Sequence, residues 1–288
     1  MNENVARLTR LRGEGRLEEA FVHADRAVAA AEGIVLHSPA DTTAQWVLAG
    51  QLYERAALHN GLDQYALGAA DAWRSFVLYQ RLADQSPEHL PQRADAQARL
   101  AWTLACASAG TETSIGAGGS PRDHAAHAVA TYEQLVAGDP VHQTGLARVH
   151  YLHGETLRVL TEEGTSESVA AYAASVRESR TLGPLTGQDL LLCASAALRL
   201  AYGHTVNEAH TDQRDAARDA VARYGELLNQ GLSAQADYAR ALLLLMNAQA
   251  CLDDPECQQT FTDFEYVLST LPHPLPEDLA PIWNDMHG

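Results

Sequence analysis

The sequence predicts an all-α protein, and three observations support that prediction. Alanine is the commonest apolar residue in a chain of 288 residues that is 46% hydrophobic, and alanine has the highest intrinsic helix propensity. Valine and isoleucine are sparse, and no segment alternates apolar and polar residues with the period of two expected of a half-buried strand. Glycine, proline and capping residues instead divide the chain into segments of helical length.

The segment that begins at Gly15 shows the pattern of half a helical hairpin. Gly15 ends one predicted helix, and an acidic turn opens the next, in which Ala20, Ala24 and Ala27 share one face. Small residues on that face allow a second helix to approach closely. Breakers and caps of this kind predict the pairs 2–13 with 16–32, 42–60 with 63–85, and 91–109 with 121–138.

Three further pairs complete the predicted array. The fourth pair has Gly154 in its first helix and a second helix over residues 166–182, the fifth follows Thr186, and the sixth turns at Pro255. The sequence therefore predicts about six antiparallel hairpins from residue 2 to residue 271, in one domain over residues 1–288. Residues 272–288 are predicted to form a C-terminal cap or tail, in which Leu279, Ile282 and Trp283 lie on one apolar edge.

The spacing within these pairs resembles that of the tetratricopeptide repeat. A small residue, a bulky residue four positions later and another three after that recur down the chain, as in Ala128, Tyr132 and Leu135. The resemblance implies an α-solenoid in which first helices line a concave groove, where peptide partners of this family usually lie. Repeat length varies, and several first helices lack the family's glycine. A degenerate solenoid and a helical bundle closed on itself are therefore the alternatives.

The charge of the chain narrows the classes of partner. A formal net charge of −17 argues against nucleic acids and against anionic membranes. All 20 basic residues are arginine. The four cysteines mostly sit in apolar helical segments, which favours reduced thiols in the cytoplasm, with a Cys251–Cys257 pair as the alternative. No signal peptide or bilayer-spanning run is visible, so the expected location is cytoplasmic.

No catalytic apparatus is expected from the sequence. His150 and His153 lie near Glu155, and His124 lies one turn from His127, but a metal site needs three or more converging ligands. The glycine-rich segment 110–120 lacks the lysine of a phosphate-binding loop. We therefore predict no catalytic residue, no cofactor and no metal. A helical metal-dependent enzyme that uses a histidine cluster is the less favoured alternative.

The predicted function is a non-enzymatic scaffold or adaptor that binds a peptide or protein partner in the concave groove. The alternative from a different class is a ligand- or peptide-sensing regulatory protein that acts through a separate effector. The partner is expected to be neither nucleic acid nor membrane.

Alignment of Gly50 and Gly154 with the small position of the family's first helix selects candidate groove residues, and a looser alignment of the third repeat adds Arg99 and Trp102. Arginines among them predict a basic site for an acidic peptide or a C-terminal carboxylate. The alternative is that these arginines pair with Glu54 and Glu155. The predicted partner-binding residues are Gln51, Glu54, Arg55, Arg99, Trp102, Arg148, Tyr151, Glu155 and Arg158.

Overall fold

The computed structural model of the chain describes residues 11, 16–108, 119–161, 165–183, 185 and 187–287. These residues form twelve α-helices and no strand, which confirms the predicted all-α class. The predicted helix 2–13, apart from Leu11, and residues 110–118 of the glycine-rich segment lie outside the described ranges. The helices are α1 (Leu17–His37), α2 (Thr42–Gly61), α3 (Tyr65–Gln85), α4 (Leu90–Ser108), α5 (Pro121–Gly138), α6 (Gln143–Leu160), α7 (Ser166–Arg180), α8 (Gly187–Val206), α9 (His210–Asn229), α10 (Gln235–Cys251), α11 (Cys257–Thr270) and α12 (Ala280–His287).

Side-chain caps mark the starts of helices α2, α5 and α7. The Asp41 carboxylate accepts a hydrogen bond from the Thr43 amide at 2.9 Å and caps α2. Ser120 and Asp123 form a reciprocal capping box at the start of α5. Helix α1 differs from its prediction, because it continues through Gly33 and ends only before Ser38. Proline at position 39 follows this end, and proline is common just beyond a helix terminus.

Successive helices pack against each other in adjacent pairs within two compact units. Unit 1, residues 1–162, contains α1 to α6, and unit 2, residues 163–288, contains α7 to α12. The single-domain organisation over residues 1–288 stays a prediction. Within the described ranges, no helix combines the length and the apolar character needed to cross a membrane. The four cysteines are free thiols, so Cys251 and Cys257 do not pair.

Close helix contacts in both units depend on glycine. A Cβ atom added to Gly145 in α6 would lie 2.1 Å from the Tyr132 ring of α5. The Tyr132 hydroxyl donates a hydrogen bond to the Pro91 carbonyl of α4 at 3.2 Å, so this side chain joins three helices. In unit 2, a Cβ on Gly203 would lie 2.6 Å from the side chain of Val169. Any larger residue at these glycines would displace the facing side chain.

The C-terminal segment packs on the last helix pair of unit 2. Leu279 is fully buried, and Ile282 and Trp283 contact the same apolar cluster, which contains Phe264 and Leu268 of α11. The guanidinium of Arg240 in α10 donates to both carboxylate oxygens of Asp278, at 2.7 and 2.9 Å. The segment therefore covers apolar surface that the last helix pair would otherwise expose.

Substitution of Gly145 by alanine should destabilise the protein by about 1–3 kcal/mol, because the new methyl group overlaps the Tyr132 ring. Gly138→Ala is the matched control, since nothing lies within 4 Å of its added Cβ, and its stability should be unchanged or slightly raised. Urea unfolding followed by circular dichroism measures both variants. Equal midpoints for the two would contradict the close contact.

Removal of all residues after Leu271 should lower the melting temperature of unit 2, because Phe264 and Leu268 would become exposed. The point variant Leu279→Ala should cost about 2–5 kcal/mol, as expected for a fully buried leucine. Tyr266→Ala is the control, since Tyr266 is 70% exposed. An unchanged melting temperature in both the truncated chain and Leu279→Ala would show that the segment does not cap the pair.

Candidate functional site

The nine predicted site residues lie on three helices of unit 1. Helices α2, α4 and α6 are the first members of their predicted pairs, and α4 packs against both α6 and, over a smaller area, α2. Helix α2 carries Gln51, Glu54 and Arg55, helix α4 carries Arg99 and Trp102, and helix α6 carries Arg148, Tyr151, Glu155 and Arg158.

Arg99 forms an aromatic contact that joins α2 to α4. Its guanidinium carbon lies 4.9 Å from the centroid of the Tyr53 ring and 5.6 Å from that of the Trp102 ring. Its Nη2 atom also donates a hydrogen bond to the Tyr53 hydroxyl at 3.2 Å. All three side chains are half-buried. We call this group the Arg99 stack.

Arg148 binds a carboxylate of the neighbouring helix α4 through two hydrogen bonds. Its Nε and Nη2 atoms donate to the two carboxylate oxygens of Asp95 at 3.1 and 2.9 Å. The negative charge of Asp95 raises the pKa of the Arg148 guanidinium, so the arginine stays protonated. Burial raises the pKa of the Asp95 carboxyl above its ordinary value. This planar two-bond geometry is typical of arginine and unavailable to lysine.

Arg55 links three helices. It donates to both oxygens of Asp71 in α3, at 2.6 and 2.9 Å, and to Asp25 in α1 at 2.7 Å. The hydrogen bond to Asp71 is the main cause that raises the Arg55 pKa. The Nε2 atom of His59 also approaches Asp71, at 3.7 Å. Arg55 is therefore occupied by carboxylates of its own unit.

The remaining predicted residues are held mainly inside the unit. Glu155 is 3% exposed, and its carboxylate accepts a hydrogen bond from Arg158 at 3.0 Å. Gln51 is buried, and its Oε1 atom has no hydrogen-bond partner among the described residues. Tyr151 packs against the apolar cluster between α4, α5 and α6 that also contacts Trp102.

Two pairs of predicted site residues contact each other in the structure. Arg99 lies over Trp102, and Arg158 binds Glu155, whereas Arg55 and Arg148 bind carboxylates that the sequence did not single out. Arg55, Arg148 and Arg158 therefore each pair with a carboxylate, as in the alternative that the sequence left open. Of these three, Arg158 pairs with a glutamate that the alternative named, Glu155. Contact of the nine residues with a partner stays a prediction.

Sequence reasoning missed Tyr53, Asp71 and Asp95 as members of these contacts. A signal for Asp71 was present, because it lies in a run of small buried residues on α3, next to Ala72 and one turn before Ser75. A lone carboxylate on a buried small-residue face indicates an ion pair with another helix. The position of Tyr53 beside Arg99 had no such signal, since the two residues are 46 positions apart.

The histidines and cysteines of the described ranges form no evident reactive centre. No three histidine, cysteine, aspartate or glutamate side chains there are placed to hold a metal ion. Burial raises the pKa of the Cys106 thiol to about 11, so this thiol is protonated at neutral pH. His124 packs against Phe76, and the Gln97 amide lies 3.4 Å from its Nδ1 atom.

Comparison with known proteins shows the fold of this chain. No protein-family model and no curated protein matches the sequence. Among solved structures, the chain is similar to the crystal structure of BtubC (BKLC) from P. vanneervenii, with a TM-score of 0.60 and 15% sequence identity. The match covers 91% of this chain and 95% of that chain. At this identity, the likeness shows a shared helical fold.

The function expected from the sequence, a scaffold or adaptor that binds its partner in a concave groove, is wrong. The similarity to BtubC spans most of the chain, and it supports neither an adaptor with a groove-bound peptide nor its sensing alternative. Arg55, Arg148 and Arg158 each pair with a carboxylate of unit 1, which offsets their positive charge. An acidic or C-terminal peptide as the partner stays a prediction.

Acid should destabilise unit 1 through His124. Burial lowers the pKa of this imidazole below its usual value of about 6.5. Below that value the unfolded chain binds a proton that the folded chain binds less readily, so stability falls as pH falls. His124→Gln should therefore flatten the loss of melting temperature between about pH 7.5 and pH 5.5. His127→Gln, at an exposed position one turn away, removes a charge that also lowers the His124 pKa, so it should flatten the profile less than His124→Gln does. Parallel profiles for wild type and His124→Gln would rule out this contribution.

Proposed function

We propose that this chain is a tetratricopeptide-like helical solenoid of about six hairpins that serves as the binding partner of another folded protein. The fold shared with BtubC over most of both chains supports a helical partner protein. The adjacent packing of successive helices supports the repeat architecture. A role without enzymatic activity belongs to the same proposal, and nucleic acids and membranes are not the partner of a chain with this negative charge.

The Arg99 stack is the observation that carries the proposal. Tyrosine, tryptophan and arginine are the residues most enriched among those that dominate protein–protein binding energies. Here one of each type lies in a single half-buried contact formed by α2 and α4. The rings fix the guanidinium in place before binding, which reduces the conformational entropy lost when a partner docks.

Arg99 also differs from the other arginines of the predicted site. Arg55, Arg148 and Arg158 each bind a carboxylate of unit 1, whereas Arg99 forms no ion pair with a described carboxylate and contacts two aromatic rings instead. We expect an acidic side chain on the surface of the partner to meet this guanidinium. Electrostatic pairing of that kind sets orientation and specificity at an interface.

The test compares two arginines of the same helix. Full-length chain carrying an affinity tag is expressed in the native host, and proteins that co-purify in stoichiometric amount are identified by mass spectrometry. Arg99→Ala should reduce the yield of the partner at least about tenfold, as expected for the loss of a central arginine contact. Arg93→Ala is the matched control, because Arg93 is also half-buried on α4 and donates to Thr131 at 3.1 Å.

Two further variants separate stacking from charge and from folding. Tyr53→Phe keeps the ring under Arg99 and removes only the hydroxyl group, so it should retain the partner. Arg99→Lys keeps the charge but loses the planar contact with the rings, so it should bind weakly. Circular dichroism must show the same helix content in all variants. Equal recovery of the partner by wild type and Arg99→Ala, or no stoichiometric partner for the wild type, would refute the proposal.

A further inference from the structure

Unit 2 contains a surface cleft that the proposed function does not use. The cleft lies between α7 and α9, over α8, and encloses about 180 Å³. Its floor is apolar, because the lining residues Val176, Leu200 and Ala216 are each less than 9% exposed. This volume is below the roughly 300–1,000 Å³ of pockets for drug-sized ligands, so the cleft suits only a small molecule.

The two rims of the cleft carry opposite charges. Arg177 and Arg180 line it from α7, and Asp212 and Asp215 line it from the first two turns of α9. Within the described part of the chain, neither Arg177 nor Arg180 forms an ion pair with Asp212 or Asp215, although Arg180 approaches Asp219 on the same helix α9. Opposite charges are thus held apart over an apolar floor.

The rim residues form their ion pairs with residues that do not line the cleft. Arg180 approaches Asp219 at 3.4 Å with 60% of its side chain exposed, and Arg177 binds only its sequence neighbour Glu178. Asp215 likewise binds its neighbour Arg214, at 3.2 Å. Asp212 makes no ion pair or side-chain hydrogen bond to a described residue. Exposed pairs of this kind contribute little stability, so a ligand displaces them at small cost.

We propose that this cleft binds a free amino acid with an aliphatic side chain. The ligand carboxylate binds Arg177 and Arg180, whose guanidinium groups favour paired hydrogen bonds to carboxylates. The ligand ammonium group binds Asp212 and Asp215, and the aliphatic side chain covers Leu200. A peptide terminus carries only one of the two charges at its end residue and would leave one rim without a partner.

The experiment uses isothermal titration calorimetry with leucine as the probe on the full-length chain. Leucine should bind with a Kd on the order of 1 mM or tighter, and titration reaches about 10 mM. N-acetylleucine lacks the positive charge and leucinamide lacks the negative charge, so each should bind at least tenfold more weakly. No heat with leucine, or equal binding of either analogue, would overturn the proposal.

Variants then locate the binding. The double variants Arg177→Ala/Arg180→Ala and Asp212→Asn/Asp215→Asn should each weaken leucine binding at least tenfold. Arg218→Ala is the control, because Arg218 lies on α9 but binds Glu256 and lines no part of the cleft. All of these residues are on the surface, so the variants should keep the wild-type melting temperature without ligand. Leucine binding that survives both double variants would place the ligand elsewhere.

Discussion

The close approach of helices at small residues is the constraint on which the rest of this structure depends. Gly145 brings α6 against the Tyr132 ring, and Gly203 brings α8 against Val169. At each crossing a side chain of one helix fills the space that a missing Cβ leaves on the other. This packing sets the distance between neighbouring helices, and that distance decides which polar side chains reach each other.

Arginine–carboxylate pairs then connect helices at those distances. Arg55 joins α2 to α1 and α3, Arg148 joins α6 to α4, and Arg240 joins α10 to the segment before α12. The long planar side chain of arginine spans the gap between two helix axes and binds both oxygens of a carboxylate. Among the arginines of the predicted site, Arg99 is the exception, because it stacks on two aromatic rings and the other three pair with carboxylates.

The candidate site was predictable in part. Alignment of the third repeat with the tetratricopeptide pattern selected Arg99 and Trp102, which lie one turn apart on α4 and meet in the structure. Periodicity along one helix states which residues share a face, but it does not state what faces them from another helix. Asp95 contacts Arg148 and Tyr53 contacts Arg99 from a different helix, so periodicity along one helix did not identify them. Carboxylates from the same unit offset the positive charge of Arg55, Arg148 and Arg158.

The sequence by itself determined the all-α class, most helix boundaries and the apolar edge of the C-terminal segment, since caps, breakers and side-chain periodicity act within a few residues. Tertiary structure alone decided which charges are neutralised and which remain available to a ligand. The Arg148–Asp95 pair spans 53 positions, and the cleft of unit 2 is lined from three helices. Such contacts depend on the angle and spacing at which helices cross, and those are set by the packing of many side chains at once.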